Sequence, residues 1–244
     1  MRITISPDAS ELGKSAAGMA AEKITRSINT GGKARIVVST GNSQFEFFQS
    51  LVSENIEWSK VEVFHLDEYL GIPITHKASF RKYLYERFIN LVPVMKFWPV
   101  DVAGEINERI SLLNSEIRKK PIDLGIIGIG VNGHIAFNDP PANFDTKESY
   151  IIVNLDDRCK MQQVDEGWFE TVNDVPDRAV SMSVWQIMQC RSIISVVPHL
   201  VKAEAVRRTL TETVTNTVPA TILKNHSDWN LFLDKNSVSE LIPL

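Results

Sequence analysis

With 244 residues, 43% of them hydrophobic and 23% charged, the chain has the composition of a globular protein, which excludes a disordered or fibrous one. Its net charge of -4 argues against bulk nucleic-acid binding, which needs a basic patch, and leaves any bound anion to a local cradle. No run approaches the roughly 20 apolar residues of a membrane helix, so neither nucleic acid nor membrane is an expected partner.

Met1 to Ser6 alternates as a strand and lacks a signal-peptide pattern. Cys159 and Cys190 stand at no metal or redox spacing, so reduced core thiols and the cytoplasm are expected. A helical pattern follows, with Leu12, Ala16, Ala20 and Ile24 on one face and Gly31-Gly32 as its stop. The β-branched run Ala34 to Ser39 then breaks into Thr40-Gly41-Asn42-Ser43 ahead of a helix carrying Phe45, Phe48 and Leu51. Small residues between a strand and a helix start let backbone amides and hydroxyls converge on a phosphate, although from this loop alone an ordinary turn capped by Ser43 is the better account of the pattern.

Val61 to Leu66 is the next strand, and it delivers Asp67-Glu68-Tyr69. Adjacent carboxylates on extended chain face opposite ways, so one can enter a cleft while the other caps or pairs. His65 and His76 flank them without a companion at ligand spacing, so no metal is expected. Ser79 to Phe88 reads as a helix, and Ile106, Ile110, Leu113 and Ile117 mark the buried face of a longer one.

The central stretch is Asp123 to Pro141, an apolar run through Ile129 that suits a strand buried on both faces. Gly128, Gly130 and Gly133 allow positive backbone angles or close approach, and His134 follows at a carboxyl end of the sheet. Tyr150 to Leu155 is another strand, and the polar, aperiodic Asp156 to Glu170 reads as a flap over the cleft. Pro176 to Ser183 precedes a short helix, and Ser192 to Val197 is a late core strand. Lys202 falls in the first turn of the following helix, where a cation opposes the dipole, so anion contact and surface lysine are both open. Trp229 to Leu233 closes the core and the chain ends at Leu244. No repeat, linker or low-complexity segment divides the chain, so one domain over 1–244 is expected.

Three segments, Ser39-Thr-Gly-Asn-Ser43, Leu66-Asp-Glu-Tyr-Leu-Gly71 and Gly130-Val-Asn-Gly-His-Ile-Ala-Phe-Asn-Asp-Pro140, together resemble the glucosamine-6-phosphate deaminase (isomerase) family, in order and spacing, over nearly the whole chain. The resemblance implies an α/β fold of the deaminase/ribose-5-phosphate-isomerase-like kind, a mostly parallel sheet with helices on both faces. It implies an amino-sugar phosphate as the small-molecule partner, isomerised from aldose to ketose with loss of ammonium, and no cofactor. Asp67 matches the proton-transfer carboxylate and His134 the ring-opening group. Thr40, Gly41, Asn42, Ser43 and Lys202 match the phosphate site. Asp139 stands where the family has a glutamate that tunes the histidine, and Asn132 where some members have aspartate. The family's phosphate arginine, expected near Trp168, is missing: Gly167 falls there and Arg158 lies upstream. These departures imply a divergent branch, with galactosamine 6-phosphate as an alternative to the glucosamine epimer. Allosteric members carry a longer C-terminal segment, so no site of that kind is expected, and a homo-oligomer is compatible with the pattern without being fixed by it. Two other readings compete. A 6-phosphogluconolactonase shares the fold, but its turn usually continues Thr-Ala-Ser-Leu-Phe-Pro. A non-catalytic sugar-phosphate sensor is disfavoured because Asp67 and His134 are both retained.

Overall fold

Most of the apolar runs become strands of one parallel sheet. In the computed structural model, which describes residues 1–241, the strands are β1 (Arg2–Ser6), β2 (Ala34–Val38), β3 (Val61–His65), β4 (Asp67–Tyr69), β5 (Lys96–Trp98), β6 (Leu124–Ile126), β7 (Tyr150–Asn154), β8 (Arg178–Met182), β9 (Ser192–Val197) and β10 (Trp229–Asp234). The helices are α1 (Ala9–Gly31), α2 (Phe45–Leu51), α3 (Phe80–Leu84, continued by a π turn over Tyr85–Ile89), α4 (Ile106–Arg118), α5 (Asp157–Asp165), α6 (Val184–Ile187) and α7 (Ala203–Thr211). The chain end at Leu244 lies outside the described residues.

Seven strands pair in the order β1-β10-β9-β6-β2-β3-β5, all parallel. Helices cover both faces, which is why inner strands such as β2 and β9 are buried throughout and lack the polar alternation of the edge strand β1. Ile36, Val38, Ile194 and Val196 face one core with Leu12, Ala16 and Ile24 of α1 and Phe48 of α2. Their neighbours Val37, Ile193 and Val197 face the other, with Leu113 and Ile117 of α4 and Val206 of α7. The expected α/β fold is the one formed. α1 begins where the Asp8 side chain accepts the Glu11 N–H at 3.0 Å and ends at Gly32, whose φ of 77° is left-handed.

Local differences from the sequence reading have physical causes. The central strand is shorter than its apolar run: β6 stops at Ile126, although the Ile127 N–H still bonds the Ile194 carbonyl at 2.9 Å. Asp156 to Glu170 is not an irregular flap but contains α5, because Asp156 caps it by accepting the Cys159 N–H at 2.6 Å. Ser43 caps nothing, since α2 follows directly on a 3-10 turn over Asn42–Gln44 with no side-chain cap. Gly133 has the positive φ, 84°, whereas Gly128 and Gly130 do not.

A second, antiparallel sheet, β4-β8-β7, holds the chain that leaves β3. Asp67 pairs with Ser181 and Tyr69 with Ala179, while the Met182 N–H bonds the Leu66 carbonyl at 2.9 Å. Strand alternation therefore sends Asp67 and Glu68 to opposite faces. Glu68, fully buried, accepts from Ser79 Oγ (2.9 Å), the amides of Tyr69 (3.1 Å), Phe80 (3.1 Å) and Arg81 (2.9 Å), and Arg81 Nε (3.2 Å). It thus anchors the start of α3 and neutralises the buried Arg81. Glu68→Ala leaves Arg81 and those amides without their acceptor and is expected to cost about 3–5 kcal/mol in urea unfolding; a loss below about 1 kcal/mol would show that Asp101 alone suffices for Arg81.

Candidate active site

β9, β6, β2 and β3 lie side by side, and their carboxyl ends open on one cavity of about 650 Å³, mouth included. This is the edge at which open parallel sheets place ligands. β2 contributes Ser39 and the loop Thr40 to Gln44, and the chain beyond β3 contributes Asp67. Gly128, Gly130 and His134 come from the loop after β6, and Lys202 from the turn after β9. α5 and the chain beyond it add Gln162, Gln163, Glu166 and Trp168.

The His134 ring lies flat on Gly130, so close that a Cβ at 130 would overlap Nε2, Cε1 and Cδ2. The turn is closed by the Gly130 N–H to the His134 carbonyl (2.9 Å) and the Gly133 N–H to the Gly130 carbonyl (3.0 Å). Asn132 Oδ1 accepts the His134 N–H at 3.0 Å, and its amide donates to Asp139 Oδ1 (3.2 Å) and Asp156 Oδ2 (3.4 Å). Asp139 Oδ1 reaches within 2.8 Å of His134 Nδ1, oblique to the ring N–H. Burial pushes the Asp139 carboxyl upward, but the His134 charge and the donors around it bring it below its ordinary value.

Asp67 is 5% exposed and faces the cavity. Burial, and then the charge of Glu68, raises its carboxyl well above the usual range, against a smaller opposing effect of the Phe137 amide. The other histidines of that region serve the fold. His65 sits in the core, its Nδ1 accepting the Val100 N–H at 3.3 Å, and burial holds its pKa down to about 3. His76 stacks on Phe169 and accepts the Ala78 N–H at 3.1 Å.

The wall formed by the Thr40–Ser43 loop carries hydroxyls and backbone groups, and Tyr83 OH steadies it by donating to the Gly41 carbonyl at 3.1 Å. Lys202, 6% exposed, supplies an ammonium whose pKa burial lowers and Glu166, then Cys159, support. Glu166 is fixed in place by Gln162 Nε2 (2.6 Å) and Trp168 Nε1 (3.1 Å). Two polar atoms on the floor, Ser39 Oγ and Gln44 Oε1, are buried with no protein partner.

Residues 7–232 match the sequence pattern described as glucosamine-6-phosphate isomerases/6-phosphogluconolactonase. The chain belongs to that family. A glucosamine-6-phosphate deaminase of Streptococcus pneumoniae is 33% identical over 225 residues, covering 92% of this chain and 94% of its own. Its counterpart in Thermoanaerobacter sp. is 31% identical over 251 residues, covering 100% and 96%. Among solved structures, a monomeric glucosamine-6-phosphate deaminase superposes with a TM-score of 0.88 over 98% of this chain and 99% of its own, at 23% identity. A 6-phosphogluconolactonase of Trypanosoma brucei gives 0.81 over 99% and 98%, at 17% identity. At these identities the two structures establish the fold.

The family departures noted in the sequence take physical form here. The shorter Asp139 does reach His134, because Asn132 and the Asp156 amide (3.3 Å to Oδ2) hold it forward. Asparagine at 132 suits its place, since its NH2 bridges two carboxylates where an aspartate would add a third. No arginine lines the cavity among the described residues, and Arg158 is exposed on α5. The wall near Trp168 instead presents Glu166 and Gln162, which the sequence reading missed, although their four-residue spacing is that of one helix face. Gly130→Ala is expected to force the imidazole off its seat at a cost of about 1–3 kcal/mol in thermal unfolding, with a changed His134 ring signal in NMR; an unchanged signal would contradict this packing.

Proposed function

We propose that the chain is an amino-sugar 6-phosphate isomerase/deaminase, acting on glucosamine 6-phosphate or its galactosamine epimer. The observation that carries this reading is that Asp67 and His134, delivered by different crossovers, line one cavity whose wall also holds Lys202 and the Thr40–Ser43 loop. The names of the sequence relatives support the glucosamine epimer.

The chemistry follows from these positions. C2 of a closed pyranose is not acidic, so the C1 hydroxyl must first lose a proton while the ring oxygen gains one. His134, backed by Asp139, is placed to carry that proton, breaking the bond between C1 and the ring oxygen. Asp67, as carboxylate, then removes the C2 proton of the open aldehyde while the substrate's own ammonium passes a proton to the C1 oxygen, and Asp67 returns its proton to C1, leaving a hydroxymethyl at C1 and an iminium at C2. Water adds there and ammonium leaves, giving the ketose phosphate. A carboxylate with a raised pKa is a stronger base, and its burial beside the cavity is what raises it. Lys202, the hydroxyls of Thr40 and Ser43 and the backbone of Gly41 and Asn42 hold the phosphate.

Asp67→Asn is expected to lower kcat for ammonium release at least about a hundredfold, as loss of a proton-transfer group does, with KM little changed. Because Asp67 works ionised and its pKa is raised, kcat/KM should fall on acidification through a limb lying above the ordinary carboxylate value of about 4. Ammonium release from the two epimers, measured beside hydrolysis of 6-phosphogluconolactone, decides the substrate. Inertness toward both amino sugars would remove the proposal, and turnover of the lactone alone would replace it.

A further inference from the structure

Behind the cavity three side chains of different donor chemistry converge. A ring nitrogen of His134, an Asp139 oxygen and Cys159 Sγ all lie within 4.8 Å of one another, and Nδ1 is 2.8 Å from Asp139 Oδ1. His134 Nδ1 is buried without a well-formed hydrogen bond, since Asp139 meets it off the axis of its N–H. Cys159 is 1% exposed, in the first turn of α5. No lysine or arginine pairs with Asp139 or Asp156 among the described residues, so this pocket of carboxylates lacks a matching cation apart from His134.

We propose that His134, Asp139 and Cys159 form a binding site for a zinc-class divalent cation, and that filling it switches the enzyme off. The donor set selects the ion. A thiolate and an imidazole are poor ligands for magnesium or calcium and good ones for zinc, and three protein ligands leave a fourth position for water or a substrate oxygen. Tetrahedral zinc with bonds of about 2.0–2.3 Å needs donors roughly 3.3–3.6 Å apart, so small side-chain rotations suffice. Charge balance favours occupation: the thiol releases its proton to solvent, Asp139 is already ionised, and the imidazole binds neutral through Nδ1 with its proton on Nε2. Two negative ligands then match the two charges of the ion, so the filled site is itself neutral and only the charge of Asp156 remains beside it.

Once bound, Nδ1 is occupied and Asp139 no longer backs the ring, so His134 cannot cycle the proton that ring opening requires. The inhibition rests on the proposed reaction, whereas binding does not. Co2+ is the probe for the latter. Titrating chelator-treated protein should give one equivalent with tetrahedral d–d bands and a thiolate-to-cobalt charge-transfer band, both abolished by Zn2+. Zn2+ should inhibit ammonium release reversibly to EDTA, and Cys159→Ser should raise the half-inhibiting concentration at least about tenfold while basal turnover persists. A wild-type cobalt spectrum without the thiolate band overturns the site whether or not the protein deaminates. Inhibition equally strong in Cys159→Ser overturns it too, by placing the zinc elsewhere.

Discussion

Burial of two adjacent carboxylates at the end of β3 is the constraint from which the site follows. A buried carboxylate is tolerable only where donors replace its lost hydration. Glu68 receives a complete set from α3 and Arg81 and becomes part of the scaffold. Asp67, one residue earlier and on the opposite face, has little beyond the Phe137 amide. Its high proton affinity is the result of that unequal sharing. The pairing of β4 with β8 prevents the two from exchanging roles, because a slip of one residue would reverse their faces.

The imidazole depends on a different kind of constraint, the absence of a side chain. Gly130 lets the ring lie against the backbone, and Asn132 ties the loop through the His134 amide and Asp139 without touching the ring nitrogens. On the opposite wall, Lys202 shares the cavity with Glu166 where a second cation was expected. That wall therefore offers more neutral donors, from Thr40, Ser43 and the loop backbone, than positive charge.

Much of the parallel sheet was legible because strands buried on both faces need mostly apolar, β-branched sequence, and Ala34 to Ser39, Val61 to Leu66 and Ser192 to Val197 have it, interrupted within by Arg35, Glu62, His65 and Ser195, whose polar groups find partners inside the fold. Part of the cavity lining was legible because Thr40 to Ser43 stand directly after the first of those runs, Asp67 after the second, and Gly128 and Gly130 where the apolar run from Leu124 ends. What the sequence hid was set by partners far along the chain. β8 is a strand because β4 and β7 flank it, which no local pattern announces. α5 is rich in polar residues, so its hydrophobic period is weak, and its inward face, with Cys159, Gln163 and Val164, is narrow. Glu166 was invisible as a cavity residue because a glutamate at a helix end usually faces water.

α5 touches the centre at both ends. Its cap, Asp156, donates its amide to Asp139, while Gln162 and Gln163 of the helix and Glu166 just past its end look into the cavity. Such a rigid element cannot be retuned at one end in isolation, since rotating it to suit a new substrate tail also shifts the carboxylate behind the imidazole. Mutational effects along this helix should therefore be non-additive, and natural variation in substrate choice is expected to arrive as correlated changes in α5 and the loop after β6 rather than as single replacements.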